Sequence, residues 1–379
     1  MNDLRSRLKK LANTESTYPH ILSAYFSPRQ GSRDRRKEVK IFIKNRVAEI
    51  TSVLSGDDRA KIMLRREIDT LEHIIDQEVP QTTNGLAVFI RGGEVFERFD
   101  ASFAFENQLA YRRVPHIAQL AFMSEELEPF AIVTLDSKHA RIFDMALGVV
   151  SDPKAQVESE VHRRIHSGGW SQTRYQRHID HQKREHIDDV VKQLTALVAR
   201  FNYKRIMLVG PAASTSRLLE LLPKNVSSRV IERKALMSRA SDNQIVEEAL
   251  RYFTEAENAE EAEKVRRVRV EIHSSGMAVA GVDNVVRCVN HGKVHELLMA
   301  ADLDVKGEEC TECGAIVTGR GHSTCPSCDA PKDRLKDVEL REVLTRKSLQ
   351  YGFKLEFVKN GEMKGALGGI AALLHSPNT

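Results

Sequence analysis

Residues 187–210 read IDDVVKQLTALVARFNYKRIMLVG. Ile187, Val190, Val191, Leu194, Leu197, Val198 and Phe201 recur at the three-to-four-residue spacing that lines one face of an α-helix. The pattern then changes to Arg205-Ile-Met-Leu-Val-Gly210, an apolar run too short for a helix and closed by glycine, which reads as a buried strand. Two further strand-like runs, Phe130–Leu135 and Ala140–Met145, precede it across a polar turn. Helix alternating with strand predicts an α/β fold with a doubly wound sheet layer.

The same mixture extends in both directions, so the fold class is α/β, or mixed α+β, throughout. Upstream, apolar residues at Val39, Ile41, Ile43, Val47 and Ile50, and again at Ile62, Leu64, Ile68, Leu71 and Ile75, predict two amphipathic helices. Gly85–Gly93 (GLAVFIRGG) is an apolar run bounded by glycines, a strand ending in a turn. Downstream, an acidic run from Glu255 to Glu263 switches to Lys264, Arg266, Arg267 and Arg269, which suits a solvated helix near a domain boundary. At roughly 100 to 200 residues per domain, a chain of 379 residues divides into two or three. The expected domains are 1–127, 128–268 and 269–379. No internal repeat or low-complexity tract interrupts them.

Charge decides little by total: 57 Lys and Arg against 53 Asp and Glu leave a formal +4, so a nucleic-acid role must come from how the charge is distributed. No apolar run approaches the roughly 20 residues needed to cross a bilayer, and Met1–Lys10 is charged with no apolar segment behind it, so neither membrane insertion nor secretion is expected. All 5 cysteines follow residue 287. Four of them form Cys310-Thr-Glu-Cys313 and Cys325-Pro-Ser-Cys328, with 11 residues between the pairs. Two thiolates on each of two tight knuckles suit tetrahedral Zn²⁺ in a closed, structural site, a zinc ribbon over 310–328. Thiols used this way predict a reducing, cytoplasmic setting. Cys288 reads as a small buried apolar residue, and His322, between the knuckles, is not needed as a ligand.

A second chemical signal runs from Val161 to His186, VHRRIHSGGWSQTRYQRHIDHQKREH, with 6 Lys or Arg, 2 acids and 5 of the 14 histidines. At its centre lies a Ser167-Gly168-Gly169-Trp170-Ser171-Gln172 loop holding the single tryptophan. Adjacent glycines permit close backbone approaches that side-chain-bearing residues forbid. Arg163, Arg164, Arg174, Arg177, Lys183 and Arg184 can neutralise phosphates, and Trp170 and Tyr175 offer faces for stacking bases, a combination suited to RNA rather than duplex DNA. A solvated basic helix after an ordinary Gly-Gly turn fits the same residues. His178 and His181 share a helical face, but no carboxylate at a known ligand spacing supports a metal there.

These pieces, in this order, resemble the archaeal and eukaryotic class-1 peptide-chain release factor family, with its Pelota branch and its bacterial relatives. Gly168-Gly169 followed by Ser171, Arg174, Tyr175 and Arg177 is similar to the family's Gly-Gly-Gln loop and the helix after it. His291–Leu303 (HGKVHELLMAADL), leading into the ribbon, is similar to the C-terminal domain's helix and mini-domain. Gly365–Leu374 (GALGGIAALL) is similar to that domain's closing strand-and-loop signature. The resemblance implies a three-domain architecture: an N-terminal domain at the decoding centre, a middle domain at the peptidyl-transferase centre, and a C-terminal domain, with the zinc-ribbon mini-domain, meeting a translational GTPase or the ribosomal stalk base.

Two departures qualify what carries over. Trp170 stands where release factors place the glutamine that helps water attack the peptidyl-tRNA ester, and Gln172 lies two residues further on. The first domain has no Asn-Ile-Lys-Ser segment and no Tyr-x-Cys motif. An indole has one N–H donor and no acceptor, so it cannot replace an amide that does both. Among bacterial members the chain is most similar to the Balon-type hibernation factors, which implies a non-hydrolytic protein in the A site of idle ribosomes, accompanied by elongation factor Tu. On that expectation Arg163, Arg164, Gly168, Gly169, Trp170, Ser171, Gln172, Arg174, Tyr175 and Arg177 contact 16S or 23S rRNA, no catalytic residue is required, and neither membrane nor DNA is a partner. Two other readings stay open: a peptidyl-tRNA hydrolase for ribosome rescue, in which Gln172 or a loop amide orients the water, and a zinc-ribbon adaptor that binds another protein.

Overall fold

The computed structural model describes the chain except residues 1, 17–19, 28–32, 55, 80–82, 102–103, 127–128, 137–138, 147–148, 151–154, 159–170, 235–241, 275, 320, 360 and 377–379. The chain opens with α1 (Asn2–Ala12), β1 (Ile21–Phe26), α2 (Arg33–Val53) and α3 (Asp58–His73), the last prolonged by one wide turn over Ile74–Glu78. Then come β2 (Gly85–Arg91), β3 (Glu94–Ala101), β4 (Gln108–Arg112) and α4 (Ala118–Glu126). Gly92 and Gly93 join β2 to β3 at φ of 65° and 85°, the left-handed pair that a two-residue hairpin turn of this twist demands and glycine adopts without strain. The four strands pair antiparallel in the order β3-β2-β1-β4.

Strand alternation divides this sheet's side chains between two layers. Leu22, Ala24, Phe26, Leu86, Val88 and Ile90 pack with Val39 and Ile43 of α2 and Leu64 and Leu71 of α3. Tyr25, Ala87 and Phe89 face the other way, onto Leu8 and Leu11 of α1 and Leu120 of α4. Both faces are therefore dry, which is why β2 reads as an unbroken apolar run.

The middle region contains β5 (Phe130–Leu135), β6 (His139–Ala146), β7 (Val149–Val150), β8 (Ala155–Glu158), α5 (Ser171–Phe201), β9 (Arg205–Val209), α6 (Ala212–Leu221), α7 (Lys224–Ser227), β10 (Val230–Lys234) and α8 (Asp242–Ser274). Its sheet runs β10-β9-β5-β6-β7, with β8 also on β6; β10, β9 and β5 are parallel and β6 returns antiparallel. Ala131, Val133, Ile206 and Leu208 meet Val190, Leu194 and Val198 of α5. Ile132, Met207 and Val209 meet Phe253 of α8 on the opposite face. Helices on both faces of a parallel centre make this the doubly wound layer that residues 187–210 predict.

The last region holds β11 (Ala278–Ala280), α9 (Val282–Asn290), β12 (Val294–Ala300), β13 (Lys306–Cys310), β14 (Ile316–Thr318), β15 (Leu335–Glu339), α10 (Leu340–Tyr351), β16 (Lys354–Val358), α11 (Glu362–Leu367) and β17 (Ile370–Leu374). One sheet runs β11-β17-β12-β16 and a separate ribbon sheet runs β14-β13-β15. The structure corrects the resemblance over His291–Leu303: Val294–Ala300 is strand β12, and the preceding helix, α9, ends at Asn290, before the segment begins. Leu297, Leu298, Met299 and Ala300 are all buried, and β12 sits between β17 and β16, so its run is apolar from sheet burial rather than from helical periodicity.

Residues 127–255 form one compact unit, and residues 2–126 and 256–379 together form the other. Within the second unit the first and last regions keep their own sheets and share a seam: Phe122 of α4 meets Phe357 of β16 edge to face at 5.3 Å, and Leu349 of α10 packs into the layer beneath α1. Among the described residues no helix is long and apolar enough to cross a membrane.

Candidate functional site

The two cysteine knuckles are built alike. In the first, the Cys310 N–H donates to Ala315 O and the Gly314 N–H to Cys310 O, both at 2.9 Å; in the second, the Cys325 N–H donates to Ala330 O at 2.8 Å and the Asp329 N–H to Cys325 O at 2.9 Å. Each knuckle closes on a residue in the left-handed region, Gly314 at φ 72° and Asp329 at φ 56°. The turns bring the four sulfurs within 4.8 Å of one another, the one metal-competent cluster among the described residues. Cys310 and Cys325 are buried, and Cys313 and Cys328 face solvent.

The donor set fits a cation. Burial would raise the Cys310 thiol, but the backbone N–H groups of Cys313 and Glu312 donate to it and, with the neighbouring thiols, bring it down to about 7. At Cys328 the Ala330 N–H works in the same direction, yet the side chains of Cys313, Cys325 and Cys310 push it up to about 12. Four thiols so close cannot all ionise by themselves, whereas a divalent ion makes four thiolates compatible. Cys310, Cys313, Cys325 and Cys328 are thus the residues that would hold a metal, in a shell closed to substrate. His322 is no part of it: its Nδ1 meets Glu308 Oε2 at 2.8 Å. Cys288 is buried in the C-terminal core.

Only part of the basic loop lies among the described residues. Arg163, Arg164, Gly168, Gly169 and Trp170 lie outside the described residues. Ser171, Gln172, Arg174, Tyr175 and Arg177 all belong to α5, which starts at Ser171. Ser171 and Gln172 are therefore helical, where the sequence reading puts them in the loop; their side chains lie outside the described set. His181 sits 3.4 Å from Glu185 one turn on, an exposed pair.

Two features escape the sequence reading. An open groove of about 370 Å³ runs between α2 and β4, lined by Phe42, Arg46, Tyr111, Arg112 and His116 among others. Arg46 is partly committed there, donating to Leu109 O at 3.1 Å. The second is a set of charges buried on α10: Glu342, Arg346 and Lys347. Glu342 Oε2 accepts from Ile117 N–H at 2.8 Å and Ala118 N–H at 2.9 Å, capping α4. Arg346 donates to Glu309 Oε2 at 2.5 Å, and Lys347 to Gly314 O at 2.7 Å, both on the ribbon. Nothing in LREVLTRKSLQY separates these charges from solvated ones, because charge at helical spacing is the mark of an exposed face.

Residues 115–254 match the bacterial archaeo-eukaryotic release factor family 10. Peptide chain release factor subunit 1 of Archaeoglobus fulgidus is 23% identical over 284 residues, 68% of this chain and 68% of the relative. The chain is release-factor- and Pelota-like. A protein pelota homolog of Methanocaldococcus jannaschii is 20% identical over 192 residues, covering 48% of this chain and 50% of that one. Among solved structures, ribosome-bound archaeal Pelota with ABCE1 matches at 16% identity and a TM-score of 0.43, over 99% of this chain and 94% of that one. The archaeal translation termination factor matches at 18% identity and a TM-score of 0.28, over 99% and 97%.

Proposed function

We propose that this release-factor-like protein is a ribosome-associated factor that occupies the A site without hydrolysing peptidyl-tRNA, a hibernation factor. Its relatives are named as a peptide chain release factor and as Pelota, and one of the matching structures is of a ribosome-bound Pelota. The observation that carries the non-hydrolytic half is Trp170, in the place of the family's glutamine. Its side chain cannot orient a water through both a donor and an acceptor, but it can stack.

In this reading residues 1–127 face the decoding centre and 16S rRNA. Residues 128–268 carry Gly168, Gly169 and Trp170 toward the peptidyl-transferase centre and 23S rRNA, with Ser171, Gln172 and Tyr175 beside them. Residues 269–379, with a structural Zn²⁺ in the ribbon, meet a translational GTPase, elongation factor Tu, in the cytoplasm. Arg163, Arg164, Arg174 and Arg177 hold rRNA phosphates, so affinity falls steeply with salt. The test is co-sedimentation with bacterial ribosomes across a salt series, for the native protein and for a variant with these four arginines changed to glutamine. Weaker binding and a shallower salt slope in the variant support the reading; binding that survives the change contradicts it.

A further inference from the structure

Over its twelve residues, Leu340–Tyr351, α10 carries two sets of polar contacts that point to different parts of the compact unit formed by residues 2–126 and 256–379. One set holds the cysteine ribbon. Lys347, 3% exposed, donates from Nζ to Gly314 O in the first knuckle at 2.7 Å and lies 3.7 Å from Glu309 Oε1, with the Tyr351 hydroxyl at 3.2 Å. Arg346, 9% exposed, donates to the other oxygen of Glu309. The second set holds the N-terminal region. Glu342 receives the first N–H groups of α4, and Gln350 Nε2 donates to Ala12 O at the end of α1, at 2.7 Å.

Besides its cysteines the ribbon is held by the β14-β13-β15 pairing, by Ile316 in the C-terminal core and by a small apolar cluster. Its own apolar cluster is Cys310, Ala315, Val317, Cys325, Ala330 and Leu335, two of which are ligand candidates. A mini-domain of that size takes its folding energy from its metal. When the metal leaves and the ribbon opens, Gly314 O departs with the first knuckle and the Glu309 carboxylate with β13, whose pairing to β14 and β15 loosens. Arg346 then loses its carboxylate, and Lys347 keeps only the Tyr351 hydroxyl on its own helix, a state costly enough to drive a shift of α10. A shift of α10 takes Glu342 from α4 and Gln350 from α1, because one rigid helix carries all four side chains.

We propose that α10 couples the metal-bound ribbon to the seating of the N-terminal region: the knuckle carbonyl and Glu309 hold Lys347 and Arg346, and this keeps Glu342 on the N-terminus of α4. The coupling goes beyond ribosome binding and is independent of it. It rests on the ribbon holding a metal, and the same experiment checks that premise.

Hydrogen exchange of the full chain by mass spectrometry, with and without a zinc chelator under reducing conditions, reads both ends. Chelation is expected to raise exchange about tenfold or more in peptides spanning Cys310–Cys328 and, together with them, in those spanning Ile117–Glu126, while β2 and β9 peptides stay protected. In an Arg346→Met/Lys347→Met variant, which leaves no cation to strand, chelation is expected to open the ribbon alone. The proposal is overturned if the native ribbon opens and residues 117–126 keep their protection. It is overturned equally if the ribbon ignores the chelator, or if β2 and β9 open with it, since that is general unfolding.

Discussion

Glu342 caps a helix that starts 224 residues before it, its Oε2 accepting from the Ala118 N–H at 2.9 Å. The first N–H groups of any helix lack intrahelical acceptors, and a carboxylate there answers both that need and the helix dipole. The other oxygen, Oε1, lies 3.7 Å from His116 Nδ1, and the His116 carbonyl accepts from the Tyr25 hydroxyl at 2.6 Å. Removing the carboxylate leaves buried donors unpaired. Glu342→Ala is expected to cost roughly 2 kcal/mol in urea unfolding, and Glu342→Gln, which keeps an acceptor, distinctly less. Equal stability of all three proteins would deny the cap an energetic role.

Glu67 predicts a pH dependence. Its side chain is wholly buried on α3; Oε1 accepts from the Gly92 N–H at 2.8 Å, and Oε2 meets no partner among the described residues. Burial raises its carboxyl to about 8, against the smaller opposing pull of that N–H. The unfolded glutamate ionises near its ordinary value while the folded one stays protonated. Stability is therefore fully present below the unfolded value and declines as pH rises through the folded one. Glu67→Gln is expected to gain roughly 2 kcal/mol near pH 8 and almost nothing near pH 4. A gain of the same size at both pH values would assign the effect to packing instead.

Gly210, directly after β9, is fixed both by its backbone, at φ 153°, and by contact. A Cβ there would lie 2.0 Å from the Leu135 carbonyl oxygen, which belongs to the neighbouring strand β5. Backbone cannot yield as a flexible side chain can, so Gly210→Ala is expected to lose about 2–4 kcal/mol of stability in the middle unit. A wild-type unfolding midpoint in this variant would mean that the two strands separate easily.

The ribbon makes a stoichiometric prediction. Elemental analysis of the purified protein should find one zinc per chain, and Cys325→Ser, at a fully buried ligand, should abolish it. Full metal content in that variant would place the metal elsewhere.

Much of the fold is legible in the sequence because its signals are local. The spacing of Ile187, Val190, Leu194 and Val198 marks the buried face of α5, and the paired Cys-x-x-Cys runs mark the knuckles. The strand nature of Val294–Ala300 is not legible, since a short apolar run suits a buried strand and a buried helix equally. Arg346 and Lys347 are hidden for another reason: their partners Glu309 and Gly314 lie 37 and 33 residues away, and only tertiary contact shows that these charges are buried. The cap that Glu342 supplies to Ala118 is hidden in the same way.

The claim that Trp170 has replaced hydrolysis by binding is tested most directly with two ribosome samples, one vacant and one carrying labelled peptidyl-tRNA beside an empty A site. Protein is added to each, and co-sedimentation and peptide release are followed together. Binding to ribosomes with no release above the uncatalysed rate is the expected outcome. Release above that rate, abolished by Gln172→Ala, would contradict it and make the protein a peptidyl-tRNA hydrolase.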